Sequence, residues 1–207
     1  MHVEIEPKIL YVGTPVVLVS TMNPDDTPNL APLSSTWALG WTVVLGLGVA
    51  GQTLANLERT GECVLNFPHA GMWSAVERLA PLTGREAVPA YKVAYGARYE
   101  PRKFEAARLT PTPSACVAPP RVAECPLQLE AWVRAIRGMH DEPDAATVEV
   151  RVIRVHADVG ILTSDRHHID PARWQPLIYN FRHYFGLGPE LGRSFRARTP
   201  VMRVQPS

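Results

Sequence analysis

The chain has 207 residues, of which 46% are hydrophobic and 20% charged, and its formal net charge is +1. This length suits one domain with a sizeable core, and the near-neutral charge argues against nucleic-acid binding. No apolar run is long enough to span a membrane, and the N-terminus lacks the basic and apolar regions of a secretory signal, so we expect a cytoplasmic protein.

The first third of the chain is predicted to form short strands. Residues 1–10 alternate in polarity and are predicted as an edge strand. Residues 15–21 are β-branched and apolar, and they end at an Asn-Pro-Asp-Asp turn, which predicts a strand and the start of a hairpin. Residues 27–32 are predicted to return as the second arm of this hairpin.

Residues 29–68 contain the most informative stretch. A turn carrying three hydroxyls is followed by a buried strand over 42–47, a glycine-rich loop, a helix over 53–59 ended by Gly61, and a strand over 62–67. A glycine-rich loop that opens a helix presents unpaired N–H groups and the positive end of the helix dipole. This arrangement is suited to holding a phosphate.

The same loop, GLGVAG at 46–51, also matches the dinucleotide fingerprint GxGxxG. Its context argues against a Rossmann site, because a strand and a hairpin precede it and Glu62 begins, rather than ends, the next strand. Glycines that serve only a turn are a further alternative. The twenty prolines favour many short strands and loops, and hence a barrel or sandwich rather than a doubly wound sheet.

The second half is predicted to contain a helix over 72–79 and an excursion over 83–107. Residues 126–136 fit a strand or a helix, and their alternation favours a strand. Residues 147–155 alternate cleanly and predict a strand, which 159–162 extend or follow. A loop and helix are predicted over 168–185. We expect one domain over 1–207, with its core at 9–192 and a C-terminal tail from 193.

The cysteines and tryptophans fit structural roles. Cys63 lies in an apolar run and is predicted to be buried. Cys116 and Cys125 could form a disulfide, but two reduced thiols suit a cytoplasmic protein better. Trp37 and Trp41 are expected in the core or in dimer contacts.

Candidate metal ligands are sparse. His167 and His168 are adjacent and therefore point in opposite directions on an extended segment, and Asp170 supplies no third ligand at a recognisable spacing. We therefore expect these side chains at the surface and no metal site.

Three segments resemble the flavin reductase-like, FMN-binding split β-barrel family: NLAPLSSTWAL at 29–39, QTLANLERTGECVLNFP at 52–68 and HHIDPARWQPLIYNFRHYFGLG at 167–188. The resemblance implies a mainly β fold, a Greek-key-like antiparallel six-stranded barrel with helical additions. It also implies a homodimer with FMN, or alternatively FAD, near the subunit interface.

The resemblance also implies the cofactor-binding residues. The flavin ring edge and ribityl chain would contact Pro32, Leu33, Ser34, Ser35 and Thr36. The phosphate would be surrounded by Gly48, Val49, Gln52, Thr53 and Asn56. Tyr184 would belong to an aromatic wall that keeps water from the flavin. Many relatives place Arg or Lys beside the phosphate, which here would have to come from Arg59 or Lys92.

The function implied is an oxidoreductase in which FMN accepts a hydride from NAD(P)H and passes electrons to free flavin or a small acceptor. The alternative is a non-catalytic FMN-binding protein that acts in electron transfer. The sequence identifies no catalytic acid or base, and hydride transfer to flavin does not require one.

Overall fold

The computed structural model describes residues 1–195, apart from the side chain of Tyr91. Residues 196–207, most of the predicted tail, lie outside the described part. The strands are β1 Val12–Pro15, β2 Val17–Met22, β3 Pro28–Leu33, β4 Thr36–Leu39, β5 Thr42–Gly48, β6 Glu62–Phe67, β7 Leu82–Thr83, β8 Arg98–Tyr99, β9 Pro111–Thr112, β10 Arg121–Val122, β11 Leu127–Gly138, β12 Ala145–Ala157, β13 Ile178–Asn180 and β14 His183–Phe185. The helices are α1 Gln52–Thr60, α2 Trp73–Leu79, α3 Ala90–Ala94 and α4 Lys103–Ala107.

A seven-stranded antiparallel sheet forms the centre of the protein, in the order β3-β2-β6-β11-β12-β5-β4. The mainly antiparallel β fold is therefore confirmed. The sheet has one strand more than expected, and its edge strands β3 and β4 are not paired with each other in the described residues, so hydrogen bonds do not close it into a barrel. Because β5 pairs antiparallel with both β4 and β12, the glycine motif is not part of a Rossmann unit.

The two faces of the sheet carry separate core clusters. Successive side chains of a strand point to opposite faces, so Leu18 packs with α2 and α4 residues in one cluster while Val17 and Val19 pack in the other. The second cluster includes Leu54 and Leu57 of α1. Burial of this apolar face fixes α1 on the sheet.

Most predicted elements of the middle of the chain are confirmed. Helix α1 ends at Gly61, which has a left-handed φ of 69° as expected for a residue that terminates a helix. Residues 126–136 form a strand, β11, and the clean alternation of β12 continues to Ala157. A short 3₁₀ turn, Val159–Ile161, follows β12.

The chain termini differ from the prediction. Residues 1–10 form no strand and are almost entirely exposed. Strand pairing starts at Val12, which pairs with Asn180 of β13. In the middle of the chain, strand β4 was not predicted.

The predicted helix within 168–185 is wrong, since this segment contains the hairpin β13–β14. Its two-residue turn is Phe181-Arg182, and both residues have positive φ, 43° and 69°, as a type I′ turn requires.

A buried carboxylate fixes the loop that precedes β10. Glu130 of β11 is fully buried and accepts hydrogen bonds from the N–H groups of Ala115 (2.8 Å) and Cys116 (2.6 Å). Its Oε1 also lies 2.6 Å from Nε2 of His156. Burial acts to raise the pKa of Glu130, but these partners outweigh it and hold the pKa below its ordinary value.

The structure shows whether the cysteines and two of the tryptophans are buried. All three cysteines are free, and Cys63 is buried as predicted, which raises the pKa of its thiol to about 12. Trp37 and Trp41 are not in the core, being 58% and 51% exposed. No helix among residues 1–195 is both long and apolar enough to cross a membrane.

Candidate functional site

Two cavities meet along the end of β3. The first, the anion cleft, has a volume of about 260 Å³ and lies between β3, the start of α1 and the segment that includes α3 and α4. The second, the tyrosine pocket, has the same volume and lies between β1, β3, α2 and the C-terminal hairpin. Both are lined by Pro32, Leu33 and Ala80, so they adjoin.

The start of α1 supplies unpaired N–H groups to the anion cleft. Gly51 is the N-cap, and among the described residues no side chain caps the start of the helix. The N–H of Gly51 donates to the carbonyl of Gly48 at 3.0 Å, and a Cβ at residue 51 would lie only 3.0 Å from that same carbonyl oxygen. Glycine therefore permits this tight turn and leaves the positive end of the helix open to a ligand.

Two lysines line the same cleft. Lys103 of α4 is 3% exposed. Burial, and then the charge of nearby Lys92, lowers its pKa to about 8. Burial and the charge of Arg85 also lower the pKa of Lys92. Nε of Arg85 is buried without a hydrogen-bond partner in the described residues. The charges of Arg85, Lys92 and Lys103 act on one another, and an anion held beside them would be stabilised.

A buried polar network supports the cleft from behind. Asn29 donates to Oγ1 of Thr53 at 3.1 Å and is also 3.1 Å from Oγ1 of Thr21. Asn56 donates to Thr21 at 3.0 Å, and its own oxygen accepts from Gln52 at 2.8 Å. These bonds hold α1 against β2 and β3, and they fix the direction in which the helix start points.

The tyrosine pocket is lined by three aromatic rings. Tyr11 and Tyr179 lie 5.7 Å apart edge-to-face, and Tyr184 lies 5.5 Å from Tyr179. The hydroxyl of Tyr184 donates to Glu77 at 2.9 Å; burial and this carboxylate raise its pKa above the usual value. These rings form a rigid apolar wall.

Seven of the eleven predicted cofactor-binding residues line the anion cleft or the tyrosine pocket, and four line neither. Those that line the anion cleft are Pro32, Leu33, Gly48, Gln52 and Thr53. Those that line the tyrosine pocket are Pro32, Leu33, Ser34 and Tyr184. The four that line neither cavity are Ser35, Thr36, Val49 and Asn56.

Each of these four has a distinct environment. Ser35 is hydrogen-bonded to the hydroxyl of Tyr11 at 2.9 Å, and Oγ1 of Thr36 is buried without a partner in the described residues. Val49 follows the cleft-lining Gly48 and is 40% exposed, and Asn56 belongs to the buried network. Their roles in binding remain predictions.

Sequence reasoning missed several residues that complete the site. Of the two cations considered, Lys92 lines the anion cleft, whereas Arg59 donates to the carbonyl of Met22 at 2.6 Å and does not line the cleft. Lys103, Tyr11 and Tyr179 were not identified. Lys103 lies four residues before Ala107, and this spacing puts both residues on the buried face of α4. That spacing was the only sequence feature that could have indicated a buried lysine.

The three-dimensional fold matches solved structures of one class. Flavoredoxin of Desulfovibrio vulgaris (Miyazaki F) aligns with a TM-score of 0.78 at 21% identity, covering 95% of this chain and 99% of that one. Nitrilotriacetate monooxygenase component B from Bacillus cereus aligns with a TM-score of 0.70 at 21% identity, covering 90% and 89%. The fold is therefore that of split-barrel flavin reductases.

The sequence comparisons extend this result. The family described as flavin reductase like domain matches residues 10–188. The uncharacterized protein YdfE of Bacillus subtilis (strain 168) is 47% identical over 196 residues, which cover 95% of this chain and 94% of that protein. This chain belongs to the flavin reductase-like family.

Proposed function

We propose that this protein is a flavin oxidoreductase of flavin reductase type, which uses NAD(P)H to reduce flavin and passes the electrons to free flavin or a small acceptor. The observation that carries the proposal is the anion cleft, in which the open start of α1 and two lysines converge. This is a site for a phosphate, and it adjoins a pocket with aromatic walls, as a phosphorylated aromatic cofactor such as FMN requires.

The residues present fit riboflavin 5′-phosphate. The N–H groups of the first turn of α1, together with Lys92 and Lys103, would hold the phosphate, and Thr53 can donate its hydroxyl there because its oxygen already accepts from Asn29. The ring would lie along Pro32 and Leu33 towards the tyrosine pocket. When bound, the flavin supplies the hydride and electron chemistry.

The chain's own contribution is orientation and exclusion of water. Tyr11, Tyr179 and Tyr184 are locked by ring contacts and by the bond to Glu77, so the pocket wall is formed before any ligand enters. A preformed wall reduces the cost of ordering the ligand and limits contact of the reduced ring with water. No side chain of this wall needs to transfer a proton in the proposed reaction.

The first experiment is an absorption spectrum of the purified protein, followed by assays of NADH and NADPH oxidation with and without added FMN. We expect flavin bands, or saturable FMN binding, together with flavin-dependent oxidation of at least one donor. A protein that binds FMN but oxidises neither donor would contradict the reductase proposal and favour the electron-transfer alternative.

We further propose a cytoplasmic homodimer. The edge strand β4 and the turn after it expose Trp37, Leu39 and Trp41, which are 58%, 76% and 51% accessible. Neighbouring large apolar side chains of this kind are typical of an interaction surface. Light scattering is expected to give twice the monomer mass, and a monomer that still binds flavin would contradict a dimeric site.

A further inference from the structure

The tyrosine pocket combines three aromatic rings with a lining that, among the described residues, contains no charged side chain. Tyr179 and Tyr184 are directly opposite in the β13–β14 pair, so their rings lie on the same side of the hairpin. Tyr11 precedes β1 and packs edge-to-face against Tyr179. Because all three rings line one cavity of about 260 Å³, a single ligand can contact more than one of them.

A carboxylate is bonded to the wall of this pocket. The hydroxyl of Tyr184 donates to Oε2 of Glu77 at 2.9 Å, and Glu77 follows the pocket-lining Val76 on α2. A phenol that donates to a carboxylate is polarised by it, and its ring becomes richer in electrons. Both the negative face of such a ring and the charge beside it attract a cation.

The charge of Glu77 acts on two of the rings. Burial is the main cause that raises the pKa of Tyr184, and the bonded carboxylate of Glu77 raises it further. Burial also raises the pKa of Tyr179; the charge of Arg182 opposes this rise, and the charges of Tyr11 and Glu77 add to it. The field of the carboxylate therefore reaches into the pocket.

The pocket offers little to an anion. The hydroxyl of Tyr184 is already bonded to Glu77, and that of Tyr11 is bonded to Ser35 at 2.9 Å. The two lysines of the site, Lys92 and Lys103, line the anion cleft and not the tyrosine pocket. The adjoining cavities thus differ in the charge that they favour.

We propose that the tyrosine pocket is an aromatic cage for flat organic cations of the pyridinium type, and that Glu77 sets its preference for positive charge. Tyrosine faces attract a cation at ring-contact distance, and a flat ligand can also stack on them. Binding of the cation goes beyond the proposed function, whereas its part in a reaction rests on that function.

Two kinds of reactant carry such a ring. When the C4–H bond of a dihydronicotinamide breaks, the hydrogen leaves with both electrons to the flavin, which is reduced, and the oxidised nicotinamide ring keeps one positive charge. A pocket that prefers the cation stabilises this charge as it develops. A cationic aromatic electron acceptor is the other source.

The test compares two probes of similar shape: 1-methylnicotinamide, which is a cation, and nicotinamide, which is neutral. Each is titrated into the flavin-free protein and followed by NMR, which detects weak binding. We expect the cation to bind at least about fivefold more tightly. Glu77→Gln keeps an acceptor for Tyr184 but removes the charge, so the preference should fall to about twofold or less. Glu58→Gln is the matched control, since Glu58 is an exposed glutamate of α1 that lines neither cavity.

A second variant tests the rings. Tyr184→Leu keeps an apolar side chain and removes one aromatic face, so it should weaken binding of the cation more than binding of nicotinamide. Equal affinity for the two probes, binding of neither, or a preference that survives both Glu77→Gln and Tyr184→Leu would refute the cage.

Titration with FMN in parallel separates this inference from the proposed function. FMN binding without a preference for the cation refutes the cage and leaves the flavin site standing. A preference for the cation in a protein that binds no flavin refutes the proposed function and leaves the cage standing.

The source of the cation is distinguished in the flavin-loaded protein. If it is the oxidised donor, Glu77→Gln should weaken product inhibition by NAD⁺ or NADP⁺. If it is the acceptor, the same substitution should raise KM for the cationic dye methylene blue and leave product inhibition unchanged. No change in either quantity would refute a part for the cage in the reaction.

Discussion

Replacing Lys103 with methionine should make the protein more stable and a weaker flavin binder. Methionine keeps most of the apolar stem and removes the charge, which lies on a side chain that is only 3% exposed. The fall of the pKa from 10.5 to about 8 corresponds, at ~1.4 kcal/mol per pKa unit, to a cost of about 3 kcal/mol for keeping this lysine charged in the folded protein at pH 7.

Urea unfolding of the flavin-free protein measures this cost directly. We expect Lys103→Met to raise the free energy of unfolding at pH 7 by up to about 3 kcal/mol. The wild type should gain stability as the pH rises from about 8 towards 10.5, because the unfolded chain then binds more protons at Lys103 than the folded one. The variant should lack this rise. Lys8→Met is the matched control, because Lys8 is exposed and its loss should change little.

Flavin binding should change in the opposite direction. A charge-assisted hydrogen bond to phosphate is worth about 1.5–3 kcal/mol, so Lys103→Met should weaken FMN binding by at least about tenfold. A variant that is less stable than the wild type and binds FMN equally well would contradict this role of Lys103. In that case Lys103 would be a packing residue and not part of a phosphate site.

Three further predictions follow from other features. FMN affinity should be highest below pH 8 and should fall above it as Lys103 loses its proton, which titrations from pH 7 to 10 will show; a flat profile would contradict this role. Replacing Phe181-Arg182 with Asn-Gly should stabilise the protein by about 1–2 kcal/mol in urea unfolding, because both residues have positive φ and are exposed; destabilisation would indicate that the turn conformation differs. Glu130→Gln should cost about 1–3 kcal/mol at pH 7, since an amide cannot satisfy two N–H donors and His156 together. The stability due to this carboxylate is present above its unfolded pKa and is lost as pH falls through the lower folded value, so the loss on substitution should shrink in acid.

The parts of the fold that were predictable depend on local signals. The strand β12 follows from alternation with a period of two, and α1 follows from its glycine boundaries at Gly51 and Gly61. The strand β4 has only four residues, and the C-terminal hairpin turns through residues that seldom adopt positive φ. Its strand β13 pairs with β1, more than 160 residues earlier, and no local pattern encodes such a pairing.

The residues of the candidate site also differ in whether a local sequence signal identifies them. Pro32, Leu33, Gln52 and Thr53 lie on adjoining elements of one sequence stretch, and a motif can identify them together. Lys103 reaches the cleft from α4, about fifty residues after the start of α1. Lys92 was a candidate from the sequence, but the burial of Lys103 is visible only once the fold shows what surrounds it, so this second lysine of the cleft could not be located from the sequence.

If the anion cleft holds a flavin by its 5′-phosphate, the protein must distinguish FMN from riboflavin. Both ligands carry the same ring and ribityl chain, so only the phosphate contacts differ. We expect the wild-type protein to bind FMN at least about tenfold more tightly than riboflavin, and Lys103→Met to reduce this ratio. Equal affinity for the two ligands, or binding of neither, would contradict it.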